Sequence, residues 1–125
     1  MMETLASVFT EFEPRVLFAY VFGSTGTASQ HQQSDLDVAV YLDVDASHIE
    51  LDHKLALYAD LSRATGRNDI DVVVLNVCTN LMLLYEVMTK GRLIYAVDFD
   101  ARVLFEQKAL HAAIDFKEQR ERMMA

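Results

Sequence analysis

The chain has few of the residues that break, staple or anchor a fold. Its 125 residues include one proline, four glycines, one cysteine and no tryptophan. So little proline and glycine leaves few places where regular structure must stop. No Pro/Gly/Ser-rich linker and no repeat divides the sequence, so residues 1–125 read as one domain. The lone Cys78 cannot close an internal disulfide, and the fold therefore does not depend on oxidation. Its apolar context predicts a buried, inert thiol. No apolar run approaches the ~20 residues of a membrane span, and Met1–Thr10 lacks the basic start and apolar core of a signal peptide. The chain reads as cytoplasmic. Basic residues are also scarce, 11 against 19 acidic, for a net charge of −8. A general nucleic-acid binder carries a basic face, so strong nucleic-acid binding is not expected.

Apolar residues are plentiful at 52%, enough for a real core and too many for a disordered chain. Leu5, Val8, Phe9 and Phe12 recur at helical spacing, and Pro14 stops that helix. Val16–Phe22 is a short apolar run ended by Gly23, a buried strand. Thr25–Ser34 is small and polar, a loop or short helix. Leu36–Leu42, rich in Val and Tyr, is a second strand. Ser47 with Glu50 three residues on predicts a capping box for the next helix. The apolar face of that helix reads as Leu51, Leu55 and Tyr58, widened by Leu57 and Leu61, and Gly66 ends it. Ile70–Val77 is a β-branched third strand. Leu81, Leu84, Tyr85 and Met88 mark a helix ended by Gly91. Arg92–Val97 reads as a fourth strand, and a last helix starts at Asp98 or Asp100. The order predicts an α/β (α+β) fold, a small central sheet flanked by helices, with strand directions left open.

Within this order one constellation carries chemistry. Gly23-Ser24 is followed after ten residues by Asp35-Leu36-Asp37 at the head of the second strand. Carboxylates at i and i+2 of a strand share a face and suit a hard cation such as Mg²⁺, which takes oxygen ligands and keeps phosphate oxygens as partners. A Gly-Ser turn supplies open backbone and a hydroxyl for a phosphate. Asp71 places an acid in the otherwise apolar Ile70-Asp71-Val72-Val73-Val74, which is costly unless the acid is paired or metal-bound. Asp69, on the same face, is the alternative third carboxylate.

Gly23-Ser24-x10-Asp35-x-Asp37 followed by Ile70-Asp71-Val72-Val73-Val74-Leu75 resembles the signature of the nucleotidyltransferase superfamily that includes DNA polymerase beta. The small size resembles its minimal nucleotidyltransferases, the MNT-type antitoxins paired with HEPN-domain toxins. The resemblance implies a mixed sheet with the acids on neighbouring strands. It implies Gly23 and Ser24 on the triphosphate of ATP, and Asp35 and Asp37 on two Mg²⁺ ions. Asp71 would complete the site and help take the acceptor proton. The activity implied is transfer of AMP from ATP to a tyrosine hydroxyl of the HEPN RNase toxin, within a hetero-oligomer, which silences the toxin. Two rivals stand beside it: an antitoxin that neutralises by binding alone, and a small-molecule nucleotidyltransferase, for which 125 residues leave little room for a substrate pocket.

The sequence departs from that pattern in one respect. Many relatives carry arginines soon after Gly-Ser, where this chain has Thr25 and Thr27. Lys54, Arg63 and Arg67, from the following helix and just beyond it, are the candidate substitutes. His31 in the same loop reads as solvated. The last helix carries two apolar stripes, Val103/Leu110/Ile114 and Phe105/Ala109/Ala112/Phe116. A surface helix needs one, so the second is a candidate docking face for a partner.

Overall fold

The computed structural model describes residues 1–23 and 36–124. Ser24, the Thr25–Ser34 segment with His31, and Asp35 lie outside the described residues. The elements are α1 (Met2–Glu11), β1 (Val16–Phe22), β2 (Leu36–Leu42), α2 (Leu51–Thr65), β3 (Ile70–Val74), α3 (Leu81–Lys90), β4 (Arg92–Ala96) and α4 (Phe99–Met124). Among the described residues the strands form one sheet in the order β3-β2-β1-β4. β1 runs antiparallel to β2 and β4, while β2 and β3 are parallel.

Helices cover both faces of this mixed sheet. On the first face α1 and α2 pack Leu5, Phe9, Leu57 and Leu61 against Val38, Val40, Ile70 and Val72. On the second, α3 and α4 pack Leu84, Val87, Ala109 and Ala113 against Phe18, Tyr20, Phe22 and Ala39. Covered on both sides, β1 buries all seven residues. That explains its unbroken apolar run, because alternation appears only when one face meets water. Among the described residues no helix is long and apolar enough to cross a membrane.

Three expectations about boundaries and faces are corrected. Ser47 does not cap α2. Residues Ala46–His48 form a 3₁₀ turn in which the Ser47 hydroxyl donates to the Asp45 carboxylate. Ile49 and Glu50 then stay extended, which delivers Ile49 to the first core cluster, and Glu50 precedes the helix, its N–H donating to His53 Nδ1 at 3.0 Å. β3 stops at Val74 and not Val77, because Leu75–Val77 wind into a 3₁₀ turn. There the Asn76 side chain takes over from the ladder: its amide donates to the carbonyls of Leu42 and Val44 and accepts from the Leu42 N–H. Finally, α2 buries Leu57 and Leu61, while Leu51 and Leu55 are exposed. Five leucine and tyrosine positions span more than one face, and the sheet takes only the Leu57/Leu61 side.

The start of α4 is as expected, with the Asp98 carboxylate accepting from the Ala101 N–H at 3.0 Å. Its stripes are sorted by packing. Phe105 meets Phe18 and Tyr41 at ring distances of 5.7 and 5.1 Å, so the Phe105/Ala109 side faces the core. Ile114 lies on the open side.

Candidate active site

The site is built at one end of the sheet. Because β1 and β2 are antiparallel, the end of β1 and the start of β2 meet, and Phe22 pairs with Asp37. Because β2 and β3 are parallel, their starts also coincide, and Asp37 pairs with Asp71. Asp37 alternates with Val38 and shares its face with Ala39 and Tyr41, and Asp71 shares its face with Val73. All three of those neighbours belong to the cluster under α3 and α4. The two acids therefore stand on the same face of adjacent strands, about 4.8 Å apart by strand spacing.

Gly23 closes the site on the β1 side. It follows the last residue of β1 with φ +96°, a conformation that L side chains avoid. A Cβ built there would lie 2.0 Å from Asp37 Oδ2. The glycine thus does more than bend the chain: its missing side chain is the space that the Asp37 carboxylate occupies.

The choice between Asp69 and Asp71 turns on a neighbouring cation. Asp69 precedes β3, and Arg67 grips it with Nε and Nη2, both at 2.7 Å. This charge-assisted fork holds the Asp69 carboxyl below the usual carboxylate range. Asp71 is exposed, with no hydrogen bond or ion pair among the described residues. The structure thus places Asp69 in an ion pair and leaves Asp71 open on the face it shares with Asp37.

The same test sorts the candidate cations. Arg63 pairs with Asp60 and Arg67 with Asp69. Lys54 makes no ion pair among the described residues and lines a cleft of about 500 Å³ together with Asp71. Ile49, Leu51, Val77 and Cys78 line it too. Sequence reading missed this cleft. Its one signal was Leu51 and Leu55, which stand off the Leu57/Leu61 face. Cys78 is half-buried at the cleft wall rather than fully buried.

Among the described residues no three His, Cys, Asp or Glu side chains form a metal cluster. Asp37 and Asp71 are two carboxylates on one face, and Asp35 lies outside the described residues. A pair of carboxylates in register, with room kept clear by Gly23, fits a hard divalent cation.

Solved structures share this fold. One described as a toxin–antitoxin with AMP-PNP has a TM-score of 0.77 and 23% identity, covering 98% of this chain and 94% of that one. A MntA toxin–antitoxin variant, in which two aspartates two positions apart are replaced by glutamate, has a TM-score of 0.79 and 21% identity, covering 99% and 95%. A third holds a tri-AMPylated HEPN toxin of Shewanella oneidensis in complex with MNT antitoxin, with a TM-score of 0.71 and 21% identity, covering 99% and 96%. A search of curated proteins finds no match. The polymerase beta nucleotidyltransferase family matches residues 3–100, a span that runs from α1 into the start of α4 and takes in Gly23, Asp37 and Asp71, and this chain belongs to that family.

Proposed function

We propose that this nucleotidyltransferase is an MNT-type antitoxin that transfers AMP from ATP to a tyrosine hydroxyl of a HEPN-domain toxin and so silences it. The observation that carries the reading is the register of Asp37 with Asp71 beneath the open backbone of Gly23. It is supported by the likeness of the whole fold to a toxin–antitoxin with AMP-PNP and to an MNT antitoxin in complex with a tri-AMPylated HEPN toxin.

In this reading Gly23 and Ser24 hold the triphosphate, and Asp35, Asp37 and Asp71 bind two Mg²⁺ ions. Bound there, Mg²⁺ supplies positive charge for the attacking and leaving oxygens of an in-line displacement. The tyrosine oxygen attacks the α-phosphorus, the bond from that phosphorus to the bridging oxygen breaks, and pyrophosphate leaves. The hydroxyl proton passes to Asp71, the more open of the two described carboxylates. A phenol has pKa ≈ 10, so at neutral pH it needs this help. The overall charge of −8 also favours a protein acceptor over a nucleic-acid one.

The direct test is mass spectrometry of the HEPN toxin after incubation with the chain, ATP and Mg²⁺. Mass gains in units of AMP are expected, and Asp37→Asn should lower the rate on the order of 10³-fold. Modification that persists in Asp37→Asn refutes the site assignment. Neutralisation of the toxin with no mass gain favours the rival in which the antitoxin acts by binding alone.

A further inference from the structure

The sheet ends on one side at β3 and on the other at β4. An edge strand leaves a row of backbone N–H and C=O groups without ladder partners, which makes it a template for another strand. The two edges are built differently. β3 carries the Asp71 charge within the strand. β4 follows Arg92 with an uncharged run, Leu93-Ile94-Tyr95-Ala96, that continues to Val97. Among the described residues β4 pairs with β1 alone. Leu93 and Val97 are 40% and 44% exposed, and Ala96 is exposed too. This edge is therefore both unpaired and apolar.

The charges around the run single out its partner. Arg92 and Asp98 lie three residues either side of Tyr95, and Lys90 and Asp100 lie five. Reversing the strand thus exchanges each cation for an anion. An antiparallel copy brings the Lys90/Arg92 end of one chain to the Asp98/Asp100 end of the other, and the two-fold symmetry repeats the match at both ends. A parallel copy would set like against like. Lys90, Arg92 and Asp100 make no ion pair among the described residues, while Asp98 also caps α4. We infer that β4 pairs antiparallel with β4 of a second copy, joining two four-stranded sheets into one. The antiparallel sense continues the ladder of β1 with β4. A bulge at Ile94 and the five-residue length of β4 keep the contact small. The dimer is accordingly weak, with a dissociation constant on the order of 10 µM. It is also closed, because each copy uses up its β4 edge. Arg92 pairs with Val21 near the Gly23 end of β1, so the two candidate sites open at opposite ends of the joined sheet.

Sedimentation velocity of the chain alone, from about 1 to 300 µM, tests this. Monomer is expected at the low end and dimer at the high end. Arg92→Glu places acids against acids at both ends and should weaken the dimer about tenfold. Asp100→Lys should do the same with bases. The two combined restore opposite charges and should return dimerisation to the wild-type level. Thermal melting checks the fold of each variant. Hydrogen exchange of the wild type needs no variant: amides of β4 should gain protection as the dimer forms, while those of β3 do not. Monomer at every concentration overturns the inference. So does a dimer that either single reversal leaves intact or that the combined variant fails to recover. Protection gained on α4 or β3 in place of β4 also overturns it, because another surface would then join the copies.

Discussion

The face of the sheet under α3 and α4 carries two polar clusters, and they are built to opposite ends. Near its middle, Tyr20 is 4% exposed and donates to Glu106. Glu106 also meets Arg102 at 3.3 Å, and Arg102 lies over the Phe99 ring. Glu106 accepts from both Tyr20 and Arg102, and the cluster ties α4 to the central strand, although the buried Nε of Arg102 has no partner among the described residues. At the head of the sheet, Asp37 and Asp71 put two like charges side by side. Like charges in register destabilise a sheet, so a cation shared between them would stabilise this arrangement. The first cluster joins a helix to the sheet, and the second gathers two carboxylates of one sign on neighbouring strands.

Breaking the head should cost activity more than stability. In Gly23→Ala the new methyl collides with the Asp37 carboxylate. Transfer should fall about 100-fold through misplacement of that group, with about 1–2 kcal/mol of strain from the positive φ. Stopped assays beside denaturant melts separate the two. A fall in stability with full activity would show that the Asp37 position is not critical.

Breaking the Tyr20 cluster should show the reverse. Tyr20→Phe removes its hydrogen bond to Glu106 and should cost about 1 kcal/mol of unfolding free energy with the transfer rate unchanged. A matching loss of transfer would mean that the two clusters are coupled.

The smallest expected effect sharpens the same contrast. Burial, and then the bond to Glu106, push the Tyr20 phenol well above its ordinary value. The folded state therefore keeps a proton that the unfolded chain releases at about pH 10. The stability from this group is complete below that pH and is lost as pH rises above it. Wild type should lose unfolding free energy more steeply above pH 10 than Tyr20→Phe does, as read from urea melts at stepped pH. Parallel curves would refute this.

Much of this was legible before any coordinates. β1 and β2 have the bounds their composition predicts, because a buried strand is a short apolar run with sharp ends. The helix starting near Asp98 was legible from its cap. The β3 boundary was not, because Leu75–Val77 is as β-prone as the strand. Only the Asn76 side chain, reaching Leu42 and Val44 across the sheet, ends it. Ser47 misled for a similar reason: a cap is a local signal, and the demand to deliver Ile49 to the core is not.

The sequence by itself determined the order of elements, the acids at the strand heads, the glycine where β1 ends and hence the family. These follow from local periodicity and from short motifs. Only the tertiary structure decided that Asp37 stands beside Asp71, that Arg67 pairs with Asp69, and that Leu51 faces a cleft. Alternation along a strand tells which residues share its faces, but not which strand lies next to it, in what direction or in what register. Those depend on contacts between distant segments, and the candidate site is made of such contacts.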